Sequence, residues 1–290
     1  MPGCCVPAGG IPMRVNIHQI KEMKQRGEKI AMLTAYDYAT ARIVDEAGIP
    51  LILVGDSLGM VVLGYDSTIP VTLDVMIHHT KAVSRAVKNA IVIGDMPFMS
   101  YQISIEQTLA NAARFMQEGG AQAVKLEGGL TVAATVKRIV DCGIPVMGHI
   151  GLTPQSIHQL GGFKAQGKTL DAARKLVQDA LALEEAGAFA VVLETMPAEL
   201  SQLISRKLSV PTIGIGAGTG CDGQVQVISD MLGLFTDFVP KHVKQYAHIS
   251  DVMSGAIEQY AHEVKSGLFP SAKESFTMDK SILAELEKVS

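Results

Sequence analysis

Six ionisable residues of the chain stand at, or just after, short apolar runs that read as β-strands. They are Asp56, Asp95, Lys125, Glu127, His149 and Glu194. If the strands run parallel and side by side, the residues at their carboxyl ends meet at one edge of the sheet. Such a set could hold a cation, bind an anionic substrate and move a proton.

Asp56 and Asp95 are the pair best suited to a metal ion. They occur in the segments Val54-Gly55-Asp56-Ser57 and Gly94-Asp95-Met96-Pro97. Mg²⁺ takes one or two protein carboxylates and keeps several waters, so two short acids suffice for it. Glu127 could reach the same ion directly or through a water. The alternative is that each aspartate caps the helix that follows its strand.

The remaining four residues suit substrate binding and proton transfer. Lys125 and Glu127 are two positions apart, so both side chains point to the same side of a strand, where buried charges must be paired or bind a ligand. His149 could contact substrate, and the Glu194 carboxylate suits removal of a proton next to a carbonyl group. For each residue the alternative is an ordinary polar group that meets solvent where a strand surfaces.

The elements that must position these residues alternate regularly along the chain. Most candidate strands are continuous apolar runs, as in parallel strands that are buried on both faces. Eight runs separated by helical stretches predict an α/β protein with one (β/α)8 TIM barrel domain. The alternative, a doubly wound open sheet, usually has fewer strands. The predicted strands are Ile30–Ala35, Leu51–Val54, Ala90–Gly94, Ala123–Leu126, Val146–Gly148, Ala190–Leu193, Thr212–Ile215 and Leu234–Val239.

Local signals mark where the predicted helices begin and end. Ser104 and Gln107 predict a capping box, Thr131 and Thr169 predict two further caps, and Pro197 suits the first turn of another helix. A glycine with left-handed backbone is expected to end three helices. These ends are Glu46-Ala47-Gly48, Asp141-Cys142-Gly143 and Glu185-Ala186-Gly187.

Three segments fall outside the alternation of strands and helices. Residues 1–14 are expected to form a flexible N-terminal extension before a barrel domain of residues 15–270. Gln155–Lys168 is rich in glycine and polar residues and predicts a lid over the site. Residues 271–290 predict a polar tail that contains a short amphipathic helix.

The composition excludes several classes of function. The chain has 290 residues, of which 48% are hydrophobic and 19% charged, and its formal net charge is −4. We therefore expect no binding to nucleic acid or to a membrane surface, and no apolar run approaches the ~20 residues of a membrane span. The 4 cysteines show neither a CxxC pair nor a zinc spacing, which predicts a cytoplasmic protein.

Several motifs, in their order and spacing, resemble the ketopantoate hydroxymethyltransferase (3-methyl-2-oxobutanoate hydroxymethyltransferase) family. The resemblance covers roughly residues 15–270. Phe163 departs from it, because the family's lid motif often has tyrosine there. The matching segments are Thr34-Ala35-Tyr36-Asp37, Val54-Gly55-Asp56-Ser57-Leu58-Gly59-Met60, Asp66-Ser67-Thr68, Pro70-Val71-Thr72, Asp95-Met96-Pro97-Phe98-Met99, Val124-Lys125-Leu126-Glu127-Gly128-Gly129, Gly148-His149-Ile150-Gly151-Leu152-Thr153-Pro154-Gln155-Ser156, Gly214-Ile215-Gly216-Ala217-Gly218 and Asp222-Gly223-Gln224.

The resemblance implies a TIM barrel and a reaction. That reaction transfers a hydroxymethyl group from 5,10-methylenetetrahydrofolate to 3-methyl-2-oxobutanoate through a Mg²⁺-stabilised enolate. Its product, 2-dehydropantoate, leads to pantothenate and coenzyme A. The resemblance also implies one Mg²⁺ per subunit and a homo-oligomer, commonly a decamer.

The resemblance assigns roles to seven residues as well. Asp56 and Asp95 would hold the metal and the keto acid, Glu127 would lie near the metal, Ser57, Lys125 and His149 would contact the keto acid, and Glu194 would be the catalytic base.

Two other functions stay open on the sequence alone. A Mg²⁺-dependent lyase of related build could act on 2-oxo acids through the same enolate chemistry without folate. A non-catalytic barrel that serves binding or assembly would be expected to lack the acid residues. Formation of 2-dehydropantoate would distinguish the hydroxymethyltransferase from the lyase. Exchange of the hydrogen at C3 of the keto acid would distinguish an enzyme from a non-catalytic barrel.

Overall fold

Eight parallel strands form the centre of the structure, a computed structural model that describes residues 14–289. They pair in chain order, and the last pairs with the first, which closes the barrel. The predicted (β/α)8 TIM barrel is therefore confirmed. The strands are β1 (Ile30–Thr34), β2 (Leu51–Val54), β3 (Ile91–Asp95), β4 (Ala123–Glu127), β5 (Val146–Gly151), β6 (Ala190–Glu194), β7 (Thr212–Ile215) and β8 (Gly223–Gln226).

Helices connect the strands and surround most of the barrel. Two short 3₁₀ turns, Leu130–Val132 and Pro154–Ser156, follow β4 and β5. The α-helices are α1 (Ile17–Gln25), α2 (Tyr38–Glu46), α3 (Leu58–Val61), α4 (Leu73–Ala86), α5 (Ile105–Gln117), α6 (Ala133–Asp141), α7 (Ile157–Leu160), α8 (Leu170–Glu185), α9 (Ala198–Lys207), α10 (Ile228–Met231), α11 (Ile249–Ser266) and α12 (Lys280–Leu286).

Strand alternation divides the core into an inner and an outer cluster. Along β2, Leu51 and Leu53 belong to the cluster inside the barrel, whereas Ile52 and Val54 pack outward against the helices. Side chains of successive strand residues point to opposite faces, which explains the division. Ile20 of α1 is fully buried in the inner cluster. Because α1 closes the amino end of the barrel, the opening lies at the carboxyl ends of the strands.

Three of the predicted helix starts agree with the structure. The Ser104 hydroxyl accepts a hydrogen bond from the Gln107 backbone N–H at 3.2 Å, but the return bond from the Gln107 side chain does not form among the described residues, so only half of the predicted capping box is present. The Thr169 hydroxyl accepts one from the Ala172 N–H at 3.3 Å. Pro197 directly precedes α9. The Ser104 and Thr169 caps satisfy N–H groups that have no partner within the helix, whereas Pro197 makes no side-chain cap.

The predicted cap at Thr131 is wrong. Thr131 lies inside the 3₁₀ turn, and α6 begins after it at Ala133 without a side-chain cap. The acceptor comes instead from α8, where the Asp179 carboxylate accepts the N–H of Leu130 at 2.9 Å. A tertiary contact has replaced the local one.

Three glycines end helices as predicted. Gly48, Gly143 and Gly187 have φ angles of 81°, 85° and 97°. These left-handed conformations cost little only in glycine. Each glycine turns the chain from a helix towards the next barrel strand.

The predicted eighth strand, Leu234–Val239, is wrong. That run has no regular structure, and Leu234, Phe238 and Val239 are exposed. The eighth strand is Gly223–Gln226, which pairs with β1 and β7. The sequence pattern does not indicate this strand, because only one of its four residues, Val225, has an apolar side chain in the inner core.

The C-terminal helices lie outside the barrel. No residue of α11 or α12 is buried. The predicted short helix in the tail corresponds to α12. The predicted N-terminal extension, residues 1–14, falls almost wholly outside the described residues, so the domain boundaries stay a prediction. Within residues 14–289, no helix is long and apolar enough to cross a membrane.

Candidate active site

One cavity of about 580 Å³ opens at the carboxyl ends of the strands. All seven residues singled out in the sequence line it. The structure thus brings together side chains from strands β2 to β6 that are far apart in sequence. They are Asp56, Ser57, Asp95, Lys125, Glu127, His149 and Glu194.

Strand register explains why these residues meet. Lys125 of β4 lies beside Asp95 of β3, and Glu127 lies beside His149 of β5. Residues paired in this way sit about 5 Å apart across neighbouring strands. Asp95, Lys125, Glu127 and His149 are each at most 5% exposed. The barrel therefore buries a row of charges that must neutralise one another or bind a ligand.

Lys125 is the ammonium group at the centre of this row. Its Nζ lies 2.9 Å from Asp95 Oδ1 and 3.9 Å from Glu127 Oε1. Burial opposes its charge, but Asp95, Glu127 and Asp56 raise its pKa above the usual value. Lys125 is therefore a fixed cation at neutral pH, suited to pairing with an anionic substrate.

Asp56 and Asp95 crowd negative charge into one corner of the cavity. The Asp56 backbone N–H donates to Asp95 Oδ2 at 3.1 Å. Burial raises the pKa of both carboxyls, and that of Asp56 is raised further by Asp95 and Glu127. Neither side chain caps a helix, since α3 follows Ser57 without a side-chain cap and α5 is capped by Ser104. The cap alternative is therefore wrong.

This corner has the donor set that a hard divalent cation prefers. A cation would relieve the repulsion between Asp56 and Asp95, and carboxylate oxygens are the ligands that Mg²⁺ takes. Within residues 14–289, no three acid, histidine or cysteine side chains form a complete ligand cage. Mg²⁺ does not require one, because waters and substrate oxygens fill most of its positions.

His149 bridges two carboxylates. Its Nδ1 lies 3.3 Å from Glu127 Oε1, and its Nε2 lies 3.2 Å from Glu194 Oε2. Burial and the Lys125 ammonium disfavour a charged ring, but the two glutamates outweigh them and raise the pKa of His149 to about 9. The ring therefore links Glu127 to Glu194 on a neighbouring strand.

Glu194 is positioned by a strained residue that follows it. Thr195 has a φ angle of 47°, which is rare for a β-branched residue and costs about 1 kcal/mol or more. Backbone hydrogen bonds hold it on both sides: its N–H donates to Ile215 at 2.8 Å, and its carbonyl accepts from Gln166 at 2.9 Å. These two hydrogen bonds hold the strained backbone of Thr195 and thereby fix the direction of the chain just after Glu194.

Two residues of the site, Gln155 and Tyr101, were missed at the sequence level. The Gln155 side-chain amide donates to Asp56 Oδ2 and to the Met96 carbonyl, both at 2.9 Å, and accepts from the Tyr101 hydroxyl at 2.7 Å. Its backbone N–H donates to Glu127 Oε2 at 3.1 Å. Gln155 is 4% exposed, so the start of the predicted lid is a buried part of the site.

Ser57 and the apolar roof complete the cavity. The Ser57 hydroxyl is 2.9 Å from the Tyr36 hydroxyl, which holds it beside Asp56. Phe163, Phe235 and Phe238 line the cavity from its outer side. The apolar run that resembled a strand in the sequence thus contributes to the cavity wall.

Comparisons with known proteins agree on one family. The family model for ketopantoate hydroxymethyltransferase matches residues 14–272. A 3-methyl-2-oxobutanoate hydroxymethyltransferase from Dehalococcoides mccartyi is 69% identical over 276 residues, which cover 95% of this chain and 98% of that protein. The enzyme of the same name from Chloroflexus aggregans is 58% identical and covers 94% of this chain and 97% of its own length.

Solved structures agree on the fold. A phosphonopyruvate hydrolase complex with oxalate and Mg²⁺ aligns over 93% of this chain and 94% of its own, with a TM-score of 0.59 and 11% identity. A 2,3-dimethylmalate lyase aligns over 94% of each chain with a TM-score of 0.56 and 14% identity. At such low identity these matches concern the barrel alone. The family match and the close relatives, which span nearly the whole chain, place it in the ketopantoate hydroxymethyltransferase family, and the protein is a hydroxymethyltransferase.

Proposed function

We propose that the protein transfers a hydroxymethyl group from 5,10-methylenetetrahydrofolate to 3-methyl-2-oxobutanoate and forms 2-dehydropantoate, a precursor of pantothenate and coenzyme A. The main support for the proposal is that different walls of the cavity hold different chemical groups. One wall holds a buried lysine beside two aspartates, and a glutamate reaches in from another wall. The names of the close relatives support the same reaction.

The lysine wall suits the keto acid. Lys125 and the Ser57 hydroxyl would bind the substrate carboxylate, since both face the cavity next to the aspartates. Asp56 and Asp95 would hold one Mg²⁺ ion, with Glu127 behind them. When bound, that cation would supply a Lewis acid for the keto oxygen and so stabilise an enolate.

Glu194 would act as the base. Its side chain is 15% exposed, so the carboxylate reaches the cavity while most of it is shielded from water. The proton at C3 of the keto acid would move to Glu194, and the enolate carbon would then bond to the methylene carbon, whose two C–N bonds to the folate break in the overall transfer. The two folate nitrogens would take up one proton from Glu194 and one from water, so that tetrahydrofolate leaves. Water supplies the hydroxyl group of the product. His149 would orient Glu194 through its Nε2 and contact the keto acid.

Glu194→Gln is expected to abolish exchange of the C3 hydrogen, because an amide cannot accept the proton at neutral pH. Proton NMR of 3-methyl-2-oxobutanoate in D₂O measures the exchange. Mg²⁺ binding should remain, since Glu194 lies away from the aspartates. Retained exchange would remove Glu194 from the base role.

The wild-type protein provides the wider test of function. Incubation with both substrates and Mg²⁺ should yield 2-dehydropantoate. If it does not, although C3 exchange occurs, a 2-oxo acid lyase becomes the better assignment. Absence of exchange as well would favour a binding or assembly module.

Asp56→Ala and Asp95→Ala are each expected to weaken Mg²⁺ binding about 100-fold or more, since each removes a charged ligand oxygen. Titration calorimetry with Mg²⁺ alone measures this. Asp37→Ala, which removes an exposed helix-capping aspartate, is the control and should bind Mg²⁺ as wild type does. Unchanged affinity in both site variants would contradict the proposed metal site.

We also propose that the protein assembles into a homo-oligomer, for which the family resemblance suggests a decamer. Two exposed surfaces support self-association. One is an apolar stripe on α11, formed by Met253, Ile257, Tyr260 and Val264. The other is the outer face of β1 and β8, where the paired residues Ala31 and Gln224 are exposed because no helix among residues 14–289 covers them.

A cytoplasmic location is proposed on the state of two cysteines. Cys142 and Cys221 are free thiols, which is typical of proteins kept in a reducing compartment.

A further inference from the structure

The cavity is larger than the proposed keto acid requires. Its volume of about 580 Å³ lies in the range of pockets for drug-sized ligands, and equals roughly twenty water molecules at ~30 Å³ each. The ionisable residues assigned so far come from β2 to β6. The wall formed after β8 and beside β1 therefore remains to be explained.

Asp230 stands in that wall without an assigned role. It lies on α10, just after β8, and lines the cavity. It is 7% exposed. Among the described residues its carboxylate makes no hydrogen bond or ion pair, and burial alone raises its pKa, to about 6. Because Asp230 lines the cavity, its oxygens face the space that a ligand would fill, and a ligand with N–H donors could supply the hydrogen bonds that the protein does not.

The chemistry of Asp230 excludes the keto acid as that ligand. At neutral pH the side chain is largely ionised, and an anionic substrate would be repelled by it. The keto acid also has no N–H group to donate. The ligand at this wall must instead be neutral or cationic at the contact and must present hydrogen-bond donors.

The surroundings of Asp230 point to a flat, apolar body for the same ligand. Val225, Val227, Phe235 and Met60 line the cavity together with it. Thr34, Lys241 and His242 line the cavity as well. A carboxylate beside apolar side chains suits a heteroaromatic ring that is apolar on its faces and carries donors on one edge.

We propose that Asp230 recognises the pterin ring of the folate co-substrate. This inference rests on the proposed function. The ring edge carries an exocyclic amino group next to a ring N–H, and these two parallel donors match the two oxygens of a carboxylate, as a guanidinium group does. Asp230 thereby anchors the edge of the pterin ring that lies across the ring from N5, which carries the one-carbon unit, while the keto acid occupies the lysine wall.

The decisive experiment compares Asp230→Asn with wild type in three measurements: affinity for tetrahydrofolate, KM for methylenetetrahydrofolate, and C3 exchange of the keto acid without folate. We expect the affinity to fall and the KM to rise about 10- to 100-fold, the usual effect of losing hydrogen bonds to a charged group. The C3 exchange should persist, because it needs the keto-acid residues and Glu194, and Asp230 hydrogen-bonds to none of them. Asp237→Asn, an exposed aspartate of the following loop, is the matched control and should behave as wild type does.

A second ligand distinguishes the loss of a specific contact from a folding defect of the variant. Wild type should bind a tetrahydrofolate analogue without the exocyclic amino group about 10- to 100-fold more weakly than tetrahydrofolate. Asp230→Asn should bind the two ligands almost equally. The loss of affinity caused by the substitution and the loss caused by removing the amino group should therefore not add.

The outcomes separate the inference from the proposed function. Unchanged folate affinity in Asp230→Asn, or full discrimination against the analogue in that variant, would overturn the inference and leave the function standing. Parallel loss of C3 exchange would also overturn it, because Asp230 would then act on the keto acid or on the fold. If wild type binds no tetrahydrofolate and yields no 2-dehydropantoate, the proposed function itself fails.

Discussion

Individual side chains in this site are fixed by partners from other strands and loops. Gln155 is the clearest case. Its amide has one orientation, because Tyr101 donates to its oxygen while its nitrogen donates to the Met96 carbonyl. The second N–H of the amide is thereby directed at Asp56, whose other oxygen stays available for a cation. Partners of metal ligands that act in this way commonly tune metal affinity.

Gln155→Leu is expected to weaken Mg²⁺ binding about 10- to 100-fold, because residues that orient metal ligands typically contribute that much. Calorimetric titration of the folded variant with Mg²⁺ measures the change. Gln166→Leu is a suitable control, because Gln166 contacts the site only through its backbone N–H. Equal affinities for wild type and Gln155→Leu would show that Asp56 does not depend on this hydrogen bond.

At the scale of elements, close packing between strand and helix holds the catalytic strand ends in place. Gly94 immediately precedes Asp95 on β3, and the ring of Phe115 on α5 lies against it. A Cβ atom at this position would stand 2.3 Å from the Phe115 ring. Phe115 is fully buried, so the ring cannot swing into solvent.

Gly94→Ala is expected to destabilise the protein by about 1–3 kcal/mol, the usual cost of overpacking a core. Urea denaturation at one fixed protein concentration measures it. Adding Phe115→Leu to Gly94→Ala should cost less than the sum of the two single changes, because the smaller side chain makes room. Strict additivity would show that the clash is not the cause.

At the scale of the whole molecule, the barrel is closed at one end and incompletely covered on one side. α1 fills the amino end, whereas no helix in the described part of the chain covers the outer face of β1 and β8. α11 follows β8 in the chain but has no buried residue. One chain thus exposes both an apolar helix stripe and a bare strand face, and contact between copies can bury both.

If the proposed oligomer uses the α11 stripe, replacing Ile257 and Tyr260 together by Glu should reduce it to smaller species. The two residues are 62% and 58% exposed in the single chain, and charges at an apolar interface are unfavourable. Analytical ultracentrifugation measures the mass. His262→Glu, on the opposite face of α11, is the control and should keep the wild-type mass. An unchanged mass for the double variant would exclude this stripe from the interface.

The sequence by itself determined the fold class and identified the residues that line the candidate site. Apolar runs, helix caps and helix-ending glycines are local signals, and they predicted seven of the eight strands at or near their observed positions. The candidate residues were also evident, because ionisable groups at strand ends stand out against apolar runs. Their convergence followed from the barrel itself.

Only the tertiary structure decided which strand closes the barrel and which partners complete the site. Gly223–Gln226 is a strand because β1 and β7 pair with it, not because of its own residues. Gln155 meets Asp56 across 99 positions of sequence, and Asp230 meets the cavity through the turn after β8. Hydrogen bonds and burial between such distant residues depend on strand register and packing, which no local pattern of the sequence contains.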